Sequence, residues 1–170
     1  MTKLCLGSGG RPLKGYVNVD IINPHAPEVD IVHDLNVYPW PFDSDSAMEV
    51  IMEQCLEHLV DRNRAMKEIH RILRPRGTVR ISVPNFTWQL AYADPTHCHF
   101  FVYPTFFYYA RECGYFDFRF ASCQVHLVFG KRLSIWNYLL EPFANRFPTV
   151  YEQSPLRLFP ALYLEATLVK

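Results

Sequence analysis

Apolar positions come in short blocks along the first half of the chain, and the period of each block indicates the element it forms. Lys3 to Leu6 and Tyr16 to Ile22 are near-continuous runs of Leu, Val and Ile, the pattern of buried parallel strands. Asp30 to Leu35 predicts a third strand and Met48 to Met52 a fourth. After Asp61, a suitable N-cap, the period changes to that of a helix. Ala65, Met66, Ile69, Ile72 and Leu73 fall on one stripe, with Arg62, Lys67, Glu68 and Arg71 opposite. Pro75 within Leu73-Arg74-Pro75-Arg76-Gly77 stops that helix, because proline lacks the N–H and disfavours a helical residue before it. Thr78 to Val83 is the fifth strand, closed by Pro84-Asn85.

Beyond Asn85 the pattern loosens. Thr87 to Ala93 and Thr105 to Cys113 read as helical, joined by Asp94-Pro95-Thr96-His97-Cys98-His99. Phe116 to Phe129 alternates as one long strand or a hairpin, and Lys131 to Arg146 reads as an amphipathic helix interrupted at Pro142. Ala161 to Val169 is a final strand that closes the sheet. This order predicts an α/β fold with a doubly wound, Rossmann-like sheet, mostly parallel with an antiparallel C-terminal strand. The first crossover is shortened: Gly10 to Gly15 leaves room for a loop, where a parallel connection ordinarily takes a dozen residues and a helix. One flank of the sheet is therefore thinly covered, which makes a homodimer conceivable. A chain of 170 residues is a single domain by size. Its division is expected to be a ligand-binding half over 1–85 and an acceptor-side half with sheet closure over 86–170.

Composition narrows the function classes. Lys+Arg 17 balances Asp+Glu 17, so no basic footprint argues for a nucleic acid partner. Met1-Thr2-Lys3 leads straight into a strand, and no apolar run reaches the roughly 20 residues of a membrane span. Five cysteines without regular spacing fit reduced thiols and a cytoplasmic location. His97, Cys98 and His99 with Cys113, Cys123 and His126 match no recurrent ligand spacing, so no metal site is expected.

The chemistry concentrates near the N-terminus. The run Leu4-Cys5-Leu6 ends in the turn Gly7-Ser8-Gly9-Gly10, whose glycines let the backbone turn sharply and approach a ligand. In open α/β sheets ligands bind outside the carboxyl ends of the strands, where such turns lie. Asp20 ends the neighbouring strand, placed to accept two hydrogen bonds from a ribose diol. These two strand ends predict a nucleoside site. Asp34 ends the third strand and reads equally as a strand-end cap.

Four blocks in this order resemble the class I S-adenosylmethionine-dependent methyltransferases, specifically their small single-domain branch. Leu4-Cys5-Leu6-Gly7-Ser8-Gly9 and Val17-Asn18-Val19-Asp20 are similar to the first motif and its acidic follow-on. Pro41-Phe42-Asp43 through Glu57-His58-Leu59, and Glu68 through Gly77, are similar to the later blocks. The resemblance implies S-adenosylmethionine as cofactor, contacted by Gly7, Ser8, Gly9, Asp20, Ile21, Asp34, Leu35, Gln54 and His58. The departures are Cys5 in place of an acid, Arg11 in place of a third glycine, Met48-Glu49 for Phe-Asp, and Arg76 for a glycine.

By that resemblance the chain transfers a methyl group to a small-molecule or saccharide-type acceptor, at oxygen. His97 and His99, in the loop on the acceptor side, are the candidate catalytic residues, with His58 and Asp94 behind them. Two other classes stay open: a non-catalytic module of the same fold, and an enzyme docked at a membrane through Leu133, Trp136, Leu139, Leu140 and Phe143, a face otherwise expected to pack on the sheet. A nicotinamide dehydrogenase fits poorly, since Pro12 stands where its fingerprint needs glycine and Asp20 comes too soon.

Overall fold

The computed structural model describes residues 2–21, 29–130 and 135–170. Among these described residues, seven strands form one sheet in the order β3-β2-β1-β4-β5-β7-β6. They are β1 (Thr2–Leu6), β2 (Val17–Asp20), β3 (Ile31–Val32), β4 (Ala47–Glu53), β5 (Leu73–Pro84), β6 (Ser122–Phe129) and β7 (Ala161–Val169). β7 runs antiparallel to both neighbours, and every other pairing is parallel. The direction of winding reverses between β1 and β4, so their carboxyl ends open a crevice at the centre of the sheet. The first crossover is a loop, as its length requires. Asn18 pins it from below, accepting from the Leu13 N–H at 2.7 Å and donating to the Tyr16 carbonyl at 3.1 Å.

Helix α1 (Arg62–Ile72) begins at Asp61, whose side chain accepts from the Arg64 N–H. Met66, Ile69 and Ile72 are wholly buried and join Leu4, Leu6, Val50, Met52, Val79 and Ile81 in one core. Each such side chain contributes roughly 1.5–3 kcal/mol of burial, before entropy is set against it. Glu68, expected on the solvent face, is also buried. It accepts from the Trp40 N–H and is gripped by Arg71, so the acid ties the proline-rich loop to the helix.

The opposite face of the sheet is largely polar, with Cys5 and Ile51 among its buried members. Lys3, Glu49 and Arg80 form a charged ladder across β1, β4 and β5, with Lys3 Nζ 2.8 Å from Glu49 Oε2 and Arg80 Nη2 3.5 Å from Oε1. Ser122, Gln124 and Glu165 continue it, exposed, across β6 and β7. The central strands therefore bury mainly one face. Other boundaries move as well. β3 keeps only two of the six residues expected, and β5 starts five residues early, with a register shift against β4 between Leu73 and Thr78.

In the second half α2 is one turn (Leu90–Ala93), and Tyr103–Tyr109 is a 3-10 helix. Residues 116–121 precede β6 as irregular chain. α3 (Asn137–Arg146) and the unforeseen α4 (Pro148–Gln153) and 3-10 turn Pro155–Leu158 follow. Leu133 lies outside the described residues, and Trp136 and Leu139 are 72% and 73% exposed, so this part of the apolar face does not pack on the sheet. No helix among the described residues is long and apolar enough to cross a membrane.

Candidate functional site

The turn after β1 is held by β2. The N–H groups of Gly7 and Ser8 both donate to the Val19 carbonyl, at 2.9 and 3.2 Å. Gly7 has φ +70°, a left-handed conformation, and a Cβ there would collide with the Cys55 side chain. Gly9 at φ +55° aims its N–H at Asp20 Oδ2, 2.5 Å away, while Ile21 N–H donates to Oδ1 at 2.8 Å. Each carboxylate oxygen keeps a lone pair for a further donor.

These residues line a cleft of about 290 Å³, together with His33, Asp34, Leu35, Asn36, Gln54, Cys55, His58 and Leu59. Of the nine residues expected to contact a cofactor, eight are among its walls. Ser8 is not; its hydroxyl is buried with no hydrogen-bond partner among the described residues. Asp34 also caps its own loop, accepting from the Asn36 N–H at 2.9 Å. Burial pushes the Cys55 thiol up to about 12 and the Cys5 thiol up to about 11, so both are neutral packing groups at ordinary pH.

A second cavity of about 510 Å³ adjoins the first and shares Gln54 and His58 with it. Its other walls are Glu57, Pro84, Trp88, Leu90, Ala93, Asp94, Pro95, His97 and Tyr163. Gln54 sits at φ +50°, costly for a residue with a Cβ, and is anchored through its N–H to the Ser82 carbonyl. That geometry places one side chain at the seam between the two spaces. Trp88 stacks edge-on against Tyr163 at 5.0 Å and walls the far side.

His97 stands in this cavity with its Nδ1 2.9 Å from the Ala91 carbonyl. A carbonyl only accepts, so Nδ1 carries a proton, and in the neutral ring the lone pair lies on Nε2, 3.9 Å from Asp94 Oδ2. His58 meets it edge-on, ring centres 4.7 Å apart. His99 turns the other way, its Nε2 3.3 Å from the Val60 carbonyl, and is not among the lining residues. Glu57 enters the sequence reading only as part of a family block, yet it is buried beside the two imidazoles, where burial pushes its carboxyl up to about 7 against the pull of its own backbone N–H and of His97. Nothing local in the sequence shows this, because the residues that bury it arrive 40 positions later.

A family model described as a methyltransferase domain matches residues 17–81. No curated protein matches. Among solved structures, a SAM dependent methyltransferase from Archaeoglobus fulgidus is 15% identical with a TM-score of 0.65, over 99% of this chain and 86% of that one. An S-adenosylmethionine dependent methyltransferase from Mesorhizobium loti is 12% identical with a TM-score of 0.59, over 99% and 90%. A phosphoethanolamine N-methyltransferase from Haemonchus contortus, in complex with phosphomonomethylethanolamine and S-adenosylhomocysteine, is 14% identical with a TM-score of 0.60, over 99% of this chain and 48% of that one.

Proposed function

We propose, on the premise that the chain has the fold of the class I S-adenosylmethionine-dependent methyltransferases, that it transfers a methyl group from S-adenosylmethionine to a small-molecule or saccharide-type acceptor at oxygen. The observation that carries this is the meeting of two cavities at Gln54 and His58, one lined by Gly7, Gly9 and Asp20 and the other by His97. The residues present fit the cofactor: Asp20 has lone pairs to spare for a diol, buried Leu35 offers an apolar wall for a base, and the glycine turn leaves space beside the backbone. When bound there, S-adenosylmethionine supplies a methyl group already activated on a sulfonium.

What the protein adds is mostly position. Gly7 and Gly9 hold the donor side, Gln54 and His58 border both ligands, and Trp88 and Tyr163 wall the acceptor. Such alignment supplies roughly 7–11 kcal/mol of the barrier. His97, through the Nε2 of its neutral ring, orients an acceptor hydroxyl or takes its proton, worth about 10²–10⁴ in rate. The cofactor half is 1–85 and the acceptor half 86–170, and the cytoplasm is the proposed location. The thinly covered first crossover keeps a homodimer as the form to test by light scattering.

The decisive measurement is calorimetry with S-adenosylmethionine and S-adenosylhomocysteine. Heat with both is expected, followed by methyl transfer in a screen of hydroxylated acceptors. A folded protein giving no heat with either ligand would reduce the chain to a binding module of the same fold. Loss of turnover in His97→Ala, with cofactor heat retained, is the expected signature of the acceptor role.

A further inference from the structure

A buried carboxylate lies at the wall of the acceptor cavity. Glu57 is 1% exposed, and among the described residues no other residue gives its oxygens a hydrogen bond, which leaves it only its own backbone N–H. A buried acceptor left unpaired costs its desolvation, so a cation that reaches this carboxylate recovers that cost.

The neighbouring imidazoles are set up to share that partner. Thr96 Oγ1 donates its one hydrogen to Asp94 Oδ1 at 2.6 Å, so the 2.9 Å contact with His58 Nδ1 requires His58 to be the donor. His97 Nδ1 donates to the Ala91 carbonyl. Both rings are thus held with a proton on Nδ1, which leaves Nε2 as the atom able to ligate; that of His97 faces Asp94 Oδ2 at 3.9 Å. A ligating histidine is oriented by this kind of outer hydrogen bond to a carbonyl, hydroxyl or carboxylate. One ligand atom from each of Glu57, His58 and His97 lies within 4.8 Å of the other two. Three protein ligands facing an open cavity leave coordination positions for water or substrate.

We propose that Glu57, His58 and His97 bind a divalent first-row transition-metal cation on the acceptor side of the cleft. Two imidazoles with one carboxylate suit zinc, iron, manganese or cobalt, whereas magnesium and calcium take all-oxygen sets. With the cation bound, the cation holds the acceptor's oxygen donor, and the Nε2 lone pair of His97 serves it instead of taking the acceptor's proton. The purpose of the site rests on the methyl-transfer reading, but its existence does not. The expectation that no metal binds came from spacing alone, and this triad is split across 40 residues of chain.

The test uses full-length protein dialysed against chelator, with no methyl donor present. Zinc titrated calorimetrically is expected to bind at one equivalent, and a hundredfold excess over its dissociation constant to raise Tm by about 5–10 °C. Glu57→Gln and His97→Ala should lose both effects, and His126→Ala, on β6, should keep them. Thr96→Val, which frees the His58 ring while leaving the ligands intact, should weaken binding about 10–100-fold. Cobalt should give d–d absorption without a thiolate charge-transfer band. A thiolate band, no binding by folded wild type, or wild-type affinity in folded His97→Ala would each overturn the assignment. Calorimetry with S-adenosylmethionine reads the methyltransferase proposal separately, so either can fail alone.

Discussion

Arg76 sits at φ +65°, donating its N–H to the Lys170 carbonyl, in a conformation that costs a residue with a Cβ roughly 1–2 kcal/mol. The related family block has glycine there, and the backbone explains that preference. Arg76→Gly is therefore expected to stabilise the protein by about 0.5–1 kcal/mol, the relief being partly offset by a more flexible unfolded chain. A shift of the urea midpoint with unchanged slope is the measurement. Gly7 is the converse. Gly7→Ala forces a Cβ into left-handed backbone and against Cys55, whose own Cβ would stand 2.6 Å away. It should cost about 1–3 kcal/mol and abolish calorimetric binding of S-adenosylmethionine. Binding at wild-type affinity would remove the turn from the site.

Among the elements, α1 and α3 hold their surroundings through buried polar side chains rather than apolar area alone. Burial of Glu68 acts to raise its carboxyl, but the hydrogen bonds from Arg71 and Trp40 outweigh it and bring the group below its ordinary range. A depressed carboxyl stabilises the fold above its unfolded pKa, and that contribution fades as pH falls through the folded value. Glu68→Gln should cost about 1–3 kcal/mol at neutral pH. The deficit should shrink in acid, which denaturant curves at several pH values would read. On the outer edge of the sheet, Asn145 accepts from the Leu127 N–H at 2.7 Å and returns a bond to its carbonyl at 2.8 Å, while Glu141 accepts from Phe129. Side chains of α3 thus close strand β6, which an eighth strand would otherwise extend. Asn145→Ala is expected to lose about 1–3 kcal/mol and to speed amide exchange at Leu127.

For the whole molecule, two cavities with a shared wall imply separable affinities. Trp88 borders only the acceptor cavity, so Trp88→Ala should leave the heat of S-adenosylmethionine binding within about 0.5 kcal/mol of wild type while raising KM for the acceptor. Coupled losses would mean that the two spaces form one site. The asymmetry of the sheet belongs to this scale too. One face shares its core with α1, and the other carries the Lys3–Glu49–Arg80 ladder towards solvent. Partly exposed pairs of this kind contribute little to stability, roughly 0–1 kcal/mol. They keep an uncovered face polar.

Order and type of the strands, the stripe and N-cap of α1, and the short first crossover were legible along the chain, because each depends on neighbours within a few residues. The same holds for the glycine turn and Asp20, which lie on adjacent strands of one βloopβ unit. Glu68 was misplaced since its environment is Trp40, far away in sequence, and β3 shrank because pairing with β2 ends where the register runs out. The side on which His99 points, the exposure of Trp136, and the meeting of Glu57 with His97 were decided only in three dimensions. Periodicity reports which way a residue faces on its own element, and burial depends on what the rest of the chain brings to that face.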